Sequence, residues 1–474
     1  MKKVITYGTF DLFHEGHYNL LQRAKALGDY LIVGITTEHY DLLRGKLNVI
    51  DPLLTRIDNV KSTGFADEII IEDHEEQKQE DIQKMGVDIF AIGSDWTGCF
   101  DYLKQYCSVV YLDRTPNISS TKLREGKRPI LQLGIVGSGR IAPRFLAEAK
   151  YVSGINVRAV YNPNEESARS FGEKYELEFY YKEFEEFLQR VDTIYIATPH
   201  QVHYSYAKAA LEMGKHVLCE KPLAFSVKET EELYRLAKEK DVVLMEGIKT
   251  AYCPGFNQMM NIAKNGIIGE IRDVEACFSR ITNPAVREMT DKEYGGAFLE
   301  FGSYTLLPIF KLLGCQYEDV EFNSIRAENG VDLYTKIYFR YKDGLALSKT
   351  GIGVKSEGQL VIAGTKGYIL AESPWWLTKS FEVRFEDPNR IERYSPKFLG
   401  DGLRYEIADF VAKIDGNDKM AYYLTTEESI AMAGVVEKFM EKRRNFSDNM
   451  RAGSDGIYCE AEKMRVNKLG NLPI

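Results

Sequence analysis

Two histidines three positions apart stand near the start of the chain, in the segment GTFDLFHEGH. His14 and His17 flank Gly16, and the apolar periodicity that follows predicts a helix over 17–27. At a helix N-terminus, backbone N–H groups and the helix dipole favour an anion such as a triphosphate. Two imidazoles there would stabilise charge that develops on phosphorus during nucleotidyl transfer. Taken alone, the spacing favours a capped helix with two incidental histidines, and a metal pair lacks a suitably spaced third ligand.

A second segment, GIVGSGRIA, follows an apolar strand expected over 130–136. Its pattern is GxGxxA, formed by Gly137, Gly139 and Ala142. The first glycine suits a tight turn, the second admits a pyrophosphate, and the small third residue lets a helix pack on the strand. The pattern therefore predicts a dinucleotide site, with Ile141 in the same turn.

The sequence leaves open whether a nicotinamide dinucleotide bound at this turn would be NAD or NADP. The next expected strand, over 156–161, ends at Asn162, where an acidic residue would accept the ribose 2′-hydroxyl of NAD. Arg140 lies where it would approach the adenosine. Because no carboxylate there would repel a 2′-phosphate, the pattern leans towards NADP.

Each of the two segments opens its own series of alternating strands and helices. The first series has strands expected at 4–6, 30–36, 68–71, 89–92 and 109–112. Such alternation predicts a parallel sheet with helices on both faces and ligands at the carboxyl ends of the strands. A β-rich stretch follows over 271–386, with strands at 333–340 and 344–350, and a helix over 425–442 closes the fold.

Length and composition set further bounds. A chain of 474 residues exceeds the size of one core, which stops growing near about 250–300 residues. The net charge of −9 disfavours a general nucleic-acid surface, and no segment approaches the roughly 18 apolar residues of a membrane span. The seven cysteines form no CxxC pair. We expect a cytoplasmic enzyme with small-molecule substrates, no nucleic-acid partner, no membrane insertion and no resident metal site.

The first part of the chain resembles the HxGH cytidylyltransferases, glycerol-3-phosphate cytidylyltransferase among them. The resemblance rests on GTFDLFHEGH, GDYLIVGITT, GSDW and RTPNISSTKLRE, and covers 1–125. It implies transfer of CMP from CTP, with Mg²⁺, to a phosphorylated alcohol. The implied catalytic residues are His14, His17, Lys46 and Arg114. The implied nucleotide contacts are Thr9, Phe10, Asp11, Gly16, Arg56, Thr115, Ser119, Ser120 and Thr121.

Two departures from that family and two competing activities bear on the nucleotide. Arg44 replaces a lysine of the phosphate-binding loop, and Pro116-Asn117 replaces an acidic residue and glycine. Class I aminoacyl-tRNA synthetases use a histidine motif in the same way, but the chain lacks the KMSKS loop of those enzymes. Adenylyl transfer is the closer competitor, and the RTPNISST block favours cytidylyl transfer.

The remainder, over 131–443, resembles the Gfo/Idh/MocA family of nicotinamide oxidoreductases through ATPHQVHYSYAKAALEMGKHVLCEKPLA and GGAFLEFGSYTLL. The resemblance places Lys221 beside the nicotinamide and Tyr304 as a proton donor. Glu300 is a substrate residue, one methylene longer than the usual aspartate. The implied cofactor contacts are Gly137, Gly139, Arg140, Ile141, Ala142, Asn162, Thr198, Pro199, His200, His203, Glu220 and Pro222.

The expected fold is α/β: a Rossmann-like nucleotidyltransferase domain, a dinucleotide-binding Rossmann domain and an α+β open-sheet domain. Their expected bounds are 1–128, 129–250 and 251–445, followed by a polar tail over 446–474. The combination predicts a bifunctional enzyme that makes a polyol phosphate and activates it as a CDP-alcohol for teichoic-acid-type or capsular polymers. A non-catalytic oxidoreductase half and a reductase acting on a CDP-linked sugar stay open. A homo-oligomer is expected.

Overall fold

The computed structural model describes residues 1–37, 40–41, 46, 49, 51–74, 76–113, 130–415 and 424–453. The chain forms two compact units. The first consists of Met1–Ile194 and Leu399–Asp418, and the second of Tyr195–Phe398 and Lys419–Ile474. The described residues form three sheets, and helices alternate with the strands of the first two, which confirms the expected α/β class.

The first sheet has five strands in the order β3-β2-β1-β4-β5, and its recorded pairings are parallel. Its elements are β1 (Lys3–Gly8), α1 (Glu15–Lys25), β2 (Tyr30–Thr36), α2 (Leu53–Ser62), β3 (Glu68–Glu72), α3 (Gln77–Met85), β4 (Ile89–Gly93) and β5 (Ser108–Leu112). Central strands are buried on both faces, with a separate apolar cluster against each face. This burial explains why β1 and β2 are nearly continuous apolar runs.

The second sheet has six strands in the order β11-β10-β9-β6-β7-β8. Its strands are β6 (Leu131–Val136), β7 (Ile155–Tyr161), β8 (Phe179–Tyr181), β9 (Thr193–Ile196), β10 (His216–Glu220) and β11 (Leu244–Gly247). The helices that alternate with them are α4 (Ala142–Ala149), α5 (Glu165–Lys174), α6 (Phe184–Leu188), α7 (His203–Glu212) and α8 (Val227–Glu239). The strand order reverses at β6, the arrangement of a dinucleotide-binding Rossmann sheet.

The third sheet is mixed and has eight strands in the order β13-β14-β15-β12-β16-β17-β18-β19. Its strands are β12 (Ile271–Ser279), β13 (Asp319–Arg326), β14 (Asp332–Arg340), β15 (Leu345–Gly351), β16 (Leu360–Gly364), β17 (Gly367–Ala371), β18 (Phe381–Phe385) and β19 (Ile391–Tyr394). The remaining helices are α9 (Pro254–Lys264), α10 (Arg287–Thr290), α11 (Ala297–Leu313), α12 (Leu403–Ile414) and α13 (Thr426–Gly453). The largely apolar α11 packs on β12, β14 and β15.

Two helix bounds differ from the sequence-based expectation. The helix expected from residue 17 begins at Glu15, because His14 caps it with its side chain. The last helix continues past residue 442 to Gly453, so 446–453 of the expected tail are helical, and 454–474 lie outside the described residues. No helix in the described ranges is both long and apolar enough to cross a membrane.

Candidate functional site

The two histidines of the first motif stack on each other at the start of α1. The ring centroids of His14 and His17 lie 3.9 Å apart, with 20° between the ring planes. The rings of Phe10 and Phe13 contact His17, with centroids at 5.4 and 5.5 Å. The structure therefore brings both imidazoles to one place, and aromatic neighbours fix the second.

The capping bond determines which nitrogen of His14 can donate. The backbone N–H of Gly16 donates to Nδ1 of His14 over 3.0 Å, so the neutral ring carries its proton on Nε2. That N–H donor is the group a phosphoryl oxygen requires. The amide of His17 donates to the carbonyl of His14 over 2.9 Å, which continues the turn into the helix.

The loop between β1 and α1 has an unusual backbone that its contacts stabilise. Phe10 and Leu12 have φ values of 52° and 46°, a region that side chains other than glycine occupy only with strain. Asp51 bonds both sides of this loop: its amide donates to Asp11 Oδ1 at 2.8 Å, and its Oδ2 accepts from the Leu12 amide at 2.9 Å. The bonds to Asp51 thus hold the strained loop in place between β1 and the start of α1.

A buried polar network lies beneath the same loop. Nζ of Lys46 donates to Oγ1 of Thr9 at 2.7 Å, and that hydroxyl donates to Asp41 at 3.0 Å. Arg56 is fully buried, and its Nη1 donates to the carbonyls of Thr9 and Thr36 at 2.9 and 2.8 Å. These contacts make Arg56 a residue that fixes the loop after β1 against the end of β2.

The histidine loop and Lys46 open onto a cavity of about 1230 Å³ within the first unit, whereas buried Arg56, an expected nucleotide contact, is not one of its lining residues. Its lining includes Thr9, Phe10, Asp11, His14, Gly16, His17 and Lys46, together with 92–97 at the end of β4. The lining also includes 147–156, Glu176, Gly400 and Arg404. Five expected site residues, Arg114, Thr115, Ser119, Ser120 and Thr121, lie outside the described residues.

The glycine turn has the backbone that its pattern requires. Gly137 has a φ of 97°, which L side chains rarely adopt, and its amide donates to the carbonyl of Tyr161 at 2.8 Å. Ala142 is buried where α4 begins, and its amide donates to the carbonyl of Gly139 at 3.2 Å. The turn therefore leads directly from β6 into α4, as pyrophosphate binding requires.

Asn162 lies beside this turn at the end of β7. Its Nδ2 donates to the hydroxyl of Ser138 at 2.9 Å, and its Oδ1 accepts from the Asn164 amide at 2.9 Å. Arg140 is exposed and Ile141 is half-buried. Asn162 thus occupies the position beside the turn that the fingerprint gives to an acidic residue, without adding a negative charge.

Lys221 and His200 converge on Glu300 in the second unit, and Tyr304 lies beside Lys221. Nζ of Lys221 donates to the backbone carbonyl of Glu300 at 2.8 Å and lies 3.8 Å from its carboxylate. Nε2 of His200 lies 3.9 Å from the same carboxylate, and Lys221 Nζ lies 5.7 Å from the ring centroid of Tyr304. One ammonium, one carboxylate, one imidazole and one phenol therefore form a cluster suited to proton transfer at an oxygen.

Glu300 and Tyr304 are positioned by the first turns of α11. The buried carboxylate of Asp332 accepts from the amide of Phe298 at 2.9 Å, and a side chain at Gly296 would overlap that carboxylate. Burial raises the pKa of Asp332, while its bonds to Phe298 and Thr335 oppose the rise. Asp332 thus anchors the helix end that carries Glu300.

His203, expected at the cofactor, is fully buried behind this cluster. Its ring nitrogens lie 2.8 Å from the carbonyl of Pro222 and 3.0 Å from that of Thr198. Burial lowers the pKa of His203 to about 4, so the ring is neutral and donates to one of the two carbonyls. His203 links the segment around Pro199 to the turn after Lys221.

Sequence reasoning missed buried Glu246 on β11, the strand next to the one that carries the expected cofactor contact Glu220. Oε1 of Glu220 accepts from the Tyr195 hydroxyl at 2.6 Å, and Oε1 of Glu246 accepts from the Leu223 amide at 3.1 Å. The Ser429 hydroxyl donates to the other oxygen of Glu246. Burial raises the pKa of Glu246 to about 7 and also raises that of Glu220. A glutamate inside the apolar run VVLMEGI was the available signal.

Within the described ranges, no group of three or more His, Cys, Asp or Glu side chains has an arrangement that could hold a metal ion. The carboxylates in the cavity lining include buried Asp11, in the histidine loop, and exposed Asp95, at the end of β4. Mg²⁺ is commonly bound through one or two carboxylates and the phosphates of a nucleotide. The donor set therefore fits a metal that arrives with CTP.

Two families match successive parts of the chain. Residues 5–126 match the family described as cytidylyltransferase-like, and residues 131–248 match the NAD-binding Rossmann fold of the GFO_IDH_MocA oxidoreductase family. Glycerol-3-phosphate cytidylyltransferase of Bacillus spizizenii is 51% identical over 125 residues, which are 26% of this chain and 96% of that protein.

The second part resembles known oxidoreductases over most of their length. The scyllo-inositol 2-dehydrogenase (NADP(+)) IolU of Bacillus subtilis is 28% identical over 319 residues, covering 65% of this chain and 96% of that protein. The crystal structure of KijD10, a 3-ketoreductase from Actinomadura kijaniata in complex with TDP-benzene and NADP, has a TM-score of 0.56 at 23% identity. It covers 65% of this chain and 96% of that one, and shares its fold.

Proposed function

The chain belongs to the cytidylyltransferase-like family in its N-terminal part and continues as a Gfo/Idh/MocA oxidoreductase, and on that premise we propose that it catalyses two reactions. The first transfers CMP from CTP to glycerol 3-phosphate or a related polyol phosphate. The second reduces a phosphorylated keto precursor with NAD(P)H. The proposal rests on the observation that the same chain holds a stacked histidine pair and a cluster of Lys221, Glu300 and Tyr304.

The transfer step forms one bond and breaks one. A phosphate oxygen of the polyol phosphate attacks the α-phosphorus of CTP, the bond from that phosphorus to the bridging oxygen breaks, and pyrophosphate leaves. His14 and His17 stabilise the charge that develops on the α-phosphoryl oxygens, with Nε2–H of His14 as a donor. Lys46 supplies a positive charge on the same lining. Mg²⁺ neutralises triphosphate charge when bound, and Asp95 is the exposed carboxylate that would assist in holding it.

The reductive step combines hydride transfer with proton donation to the carbonyl oxygen. NAD(P)H supplies the hydride when bound, and the fold of the family is built to bind it. Lys221 polarises the carbonyl through its ammonium, which Glu300 keeps in position. Tyr304 donates the proton, and the alcohol is released as a polyol phosphate. The uncharged Asn162 favours NADP as the cofactor, as do the NADP-linked relatives.

The two steps fit one sequence of reactions. Reducing a ketone on a phosphorylated carbon chain gives an alcohol phosphate, which is the class of acceptor that the transferase half requires. We propose the domain bounds given by the motifs, 1–128, 129–250 and 251–445, and a role for Arg114 and 119–121 at the CTP phosphates. The product is a CDP-alcohol, a precursor suited to teichoic-acid-type or capsular polymers, made in the cytoplasm.

We propose that the chain associates with itself through the eight-stranded sheet. Ile325 on β13, Tyr338 on β14 and Leu345 on β15 are all exposed apolar side chains. Burying them against a second copy would remove apolar surface from water. Light scattering coupled to gel filtration tests this, and a monomer at micromolar concentration would contradict it.

One assay tests both activities. The protein is incubated with CTP, Mg²⁺, NADPH or NADH and a panel of keto phosphates and polyol phosphates, and the products are identified by mass spectrometry. His17→Ala is expected to stop pyrophosphate release and keep reduction, while Lys221→Ala is expected to do the reverse. His74→Ala, at a histidine outside the cavity lining, is the matched control. Failure of every acceptor to release pyrophosphate from CTP would refute the transferase assignment.

Two other functions of the second half are separable by the same assay. Bound dinucleotide without turnover on any keto substrate would identify a non-catalytic scaffold. The reason to consider a scaffold is that Glu300 is one methylene longer than the usual aspartate. A reductase that acts on a CDP-linked sugar is the other candidate, and a relative crystallised with TDP-benzene favours it. Reduction of the nucleotide-linked ketone in preference to the free keto phosphate would select it.

A further inference from the structure

The nucleotide cavity has a second wall that lies outside the transferase segment of the chain. The histidine loop and the end of β4 form one side. The other side is formed by 147–156, at the end of α4 and the connection to β7, and by Gly400 and Arg404 at the start of α12. These two elements pack on each other in the same compact unit as the histidines.

A buried ion pair fixes this second wall. Glu148 and Arg404 are 5% and 7% exposed, and the guanidinium donates to both carboxylate oxygens, at 3.0 Å from Nε and 2.8 Å from Nη2. The amides of Asp401 and Arg404 donate to the same carboxylate at 3.2 and 3.3 Å. Such a bidentate ion pair holds its two side chains in one relative orientation.

An aromatic side chain connects this pair to the transferase side. The Arg404 guanidinium lies 3.9 Å from the ring centroid of Tyr151. The Tyr151 ring in turn lies 5.6 Å from the ring of Trp96, with 53° between their planes. Trp96 belongs to the GSDW motif at the end of β4. The two walls therefore meet through the Tyr151–Trp96 contact.

The size and polarity of the cavity indicate what occupies this side. Pockets for one drug-sized ligand are about 300–1000 Å³, and 1230 Å³ leaves room for a second molecule beside CTP. The acceptor phosphate must lie beside the α-phosphorus at the histidines, so the rest of the acceptor extends into the remaining space. The second wall includes Tyr151, Ser153 and Asn156, whose side chains carry a phenol, a hydroxyl and an amide. The amide of Asn156 also donates to Oε1 of Gln132 at 3.1 Å.

Resting on the proposed transferase function, we infer that this wall binds the hydroxyl groups of an acceptor with more than three carbons, a pentitol or hexitol phosphate. Hydroxyl-bearing chains need donors and acceptors together, which phenol, hydroxyl and amide side chains supply. We expect glycerol 3-phosphate to be too short to reach these side chains while its phosphate is held at the histidines. Tyr151, Ser153 and Asn156 are thus specificity residues for the transferase, contributed by the oxidoreductase part of the chain.

The first test compares acceptors of increasing length on the full-length protein. Glycerol 3-phosphate, a tetritol 4-phosphate, a pentitol 5-phosphate and a hexitol 6-phosphate are each supplied with CTP and Mg²⁺, and pyrophosphate release is measured. We expect kcat/KM to be highest for a five- or six-carbon acceptor. A maximum at glycerol 3-phosphate would overturn the inference and leave the transferase function standing, whereas no release from any acceptor would overturn both.

The second test removes one hydroxyl of the wall. Tyr151→Phe keeps the aromatic ring between Trp96 and Arg404 and removes only its hydroxyl group. We expect kcat/KM for the preferred long acceptor to fall by about five- to tenfold, the size of one lost hydrogen bond, and to fall less for glycerol 3-phosphate. Tyr180→Phe, at an exposed tyrosine outside the cavity lining, is the matched control.

A parallel measurement separates the acceptor from the cytosine ring as occupant. If Tyr151→Phe/Ser153→Ala raised KM for CTP and left the acceptor series unchanged, the wall would bind the nucleotide base and the inference would be wrong. Equal losses for short and long acceptors would also contradict it, because they would indicate a structural role. A loss that grows with chain length supports it.

Discussion

Glu246 should make the stability of the second unit depend on pH in an unusual direction. Its carboxyl is buried between the Leu223 amide and the Ser429 hydroxyl. Burial is the main cause that raises its pKa from 4.5 to about 7, the charge of Glu220 adds to the rise, and the two hydrogen bonds oppose it. The folded protein therefore holds this proton more tightly than the unfolded chain does.

The sign follows from that difference. The stabilisation is complete below the unfolded pKa of 4.5 and is lost as pH rises through the folded pKa of about 7. With about 1.4 kcal/mol per pKa unit, the free energy of unfolding should fall by about 2–3 kcal/mol between about pH 5 and pH 8 through this group. Glu246→Gln cannot ionise, and its amide can still bond Leu223 and Ser429, so that fall should disappear.

Tryptophan fluorescence can isolate the second unit in this experiment. Two of the three tryptophans, Trp375 and Trp376, lie in that unit, and Trp96→Phe removes the third. Urea unfolding of this background, with and without Glu246→Gln, is followed across the pH range, and Glu231→Gln on the exposed side of α8 is the control. If the difference in free energy of unfolding between the proteins with and without Glu246→Gln stayed constant with pH, a raised pKa at this carboxyl would be refuted.

Three further predictions concern the two sites. Tyr304→Phe should lower kcat for reduction by about 100-fold, the usual contribution of a general acid, while pyrophosphate release persists; unchanged reduction would remove Tyr304 as proton donor. Gly137→Ala should weaken NAD(P)H binding, measured by fluorescence titration, by about tenfold because φ is 97° there, and Gly214→Ala, at a φ of 71° in open space, is a control that should bind normally. Arg404→Met should destabilise the first unit by about 3–5 kcal/mol in urea unfolding because it leaves the buried Glu148 carboxylate unpaired, and Arg404→Met/Glu148→Gln should recover much of that loss; no recovery would mean that the cost has another origin.

The sheets were predictable from local pattern. Apolar runs at β1 and β2 and the alternation with helices are dictated by burial on both faces, and the expected strands match the first sheet closely. The start of α1 was misplaced because a histidine side chain, which is not a common cap, accepts the Gly16 amide. Period and composition carry no information about such a bond.

The residues of the two sites were predictable where one motif holds them together. His14 and His17 meet because they are one helical turn apart, and Lys221 and Glu300 meet because two motifs lie at adjoining element ends. Arg404 lies 256 positions from Glu148 along the chain, and a lone arginine far along the sequence gives no sign of its partner. Long-range pairs of this kind depend on the packing of whole elements.

The short helix α4 spans eight residues, about 12 Å, from the glycine turn at Ala142 to the Glu148 wall of the nucleotide cavity. A polypeptide truncated at residue 128 would retain the complete HxGH loop and yet expose its substrates to bulk water on that side. Joining the two parts in one chain therefore supplies a wall of the nucleotide cavity as well as a covalent link. Residues from both parts of the chain line one cavity, so separating the two parts would remove one of its walls.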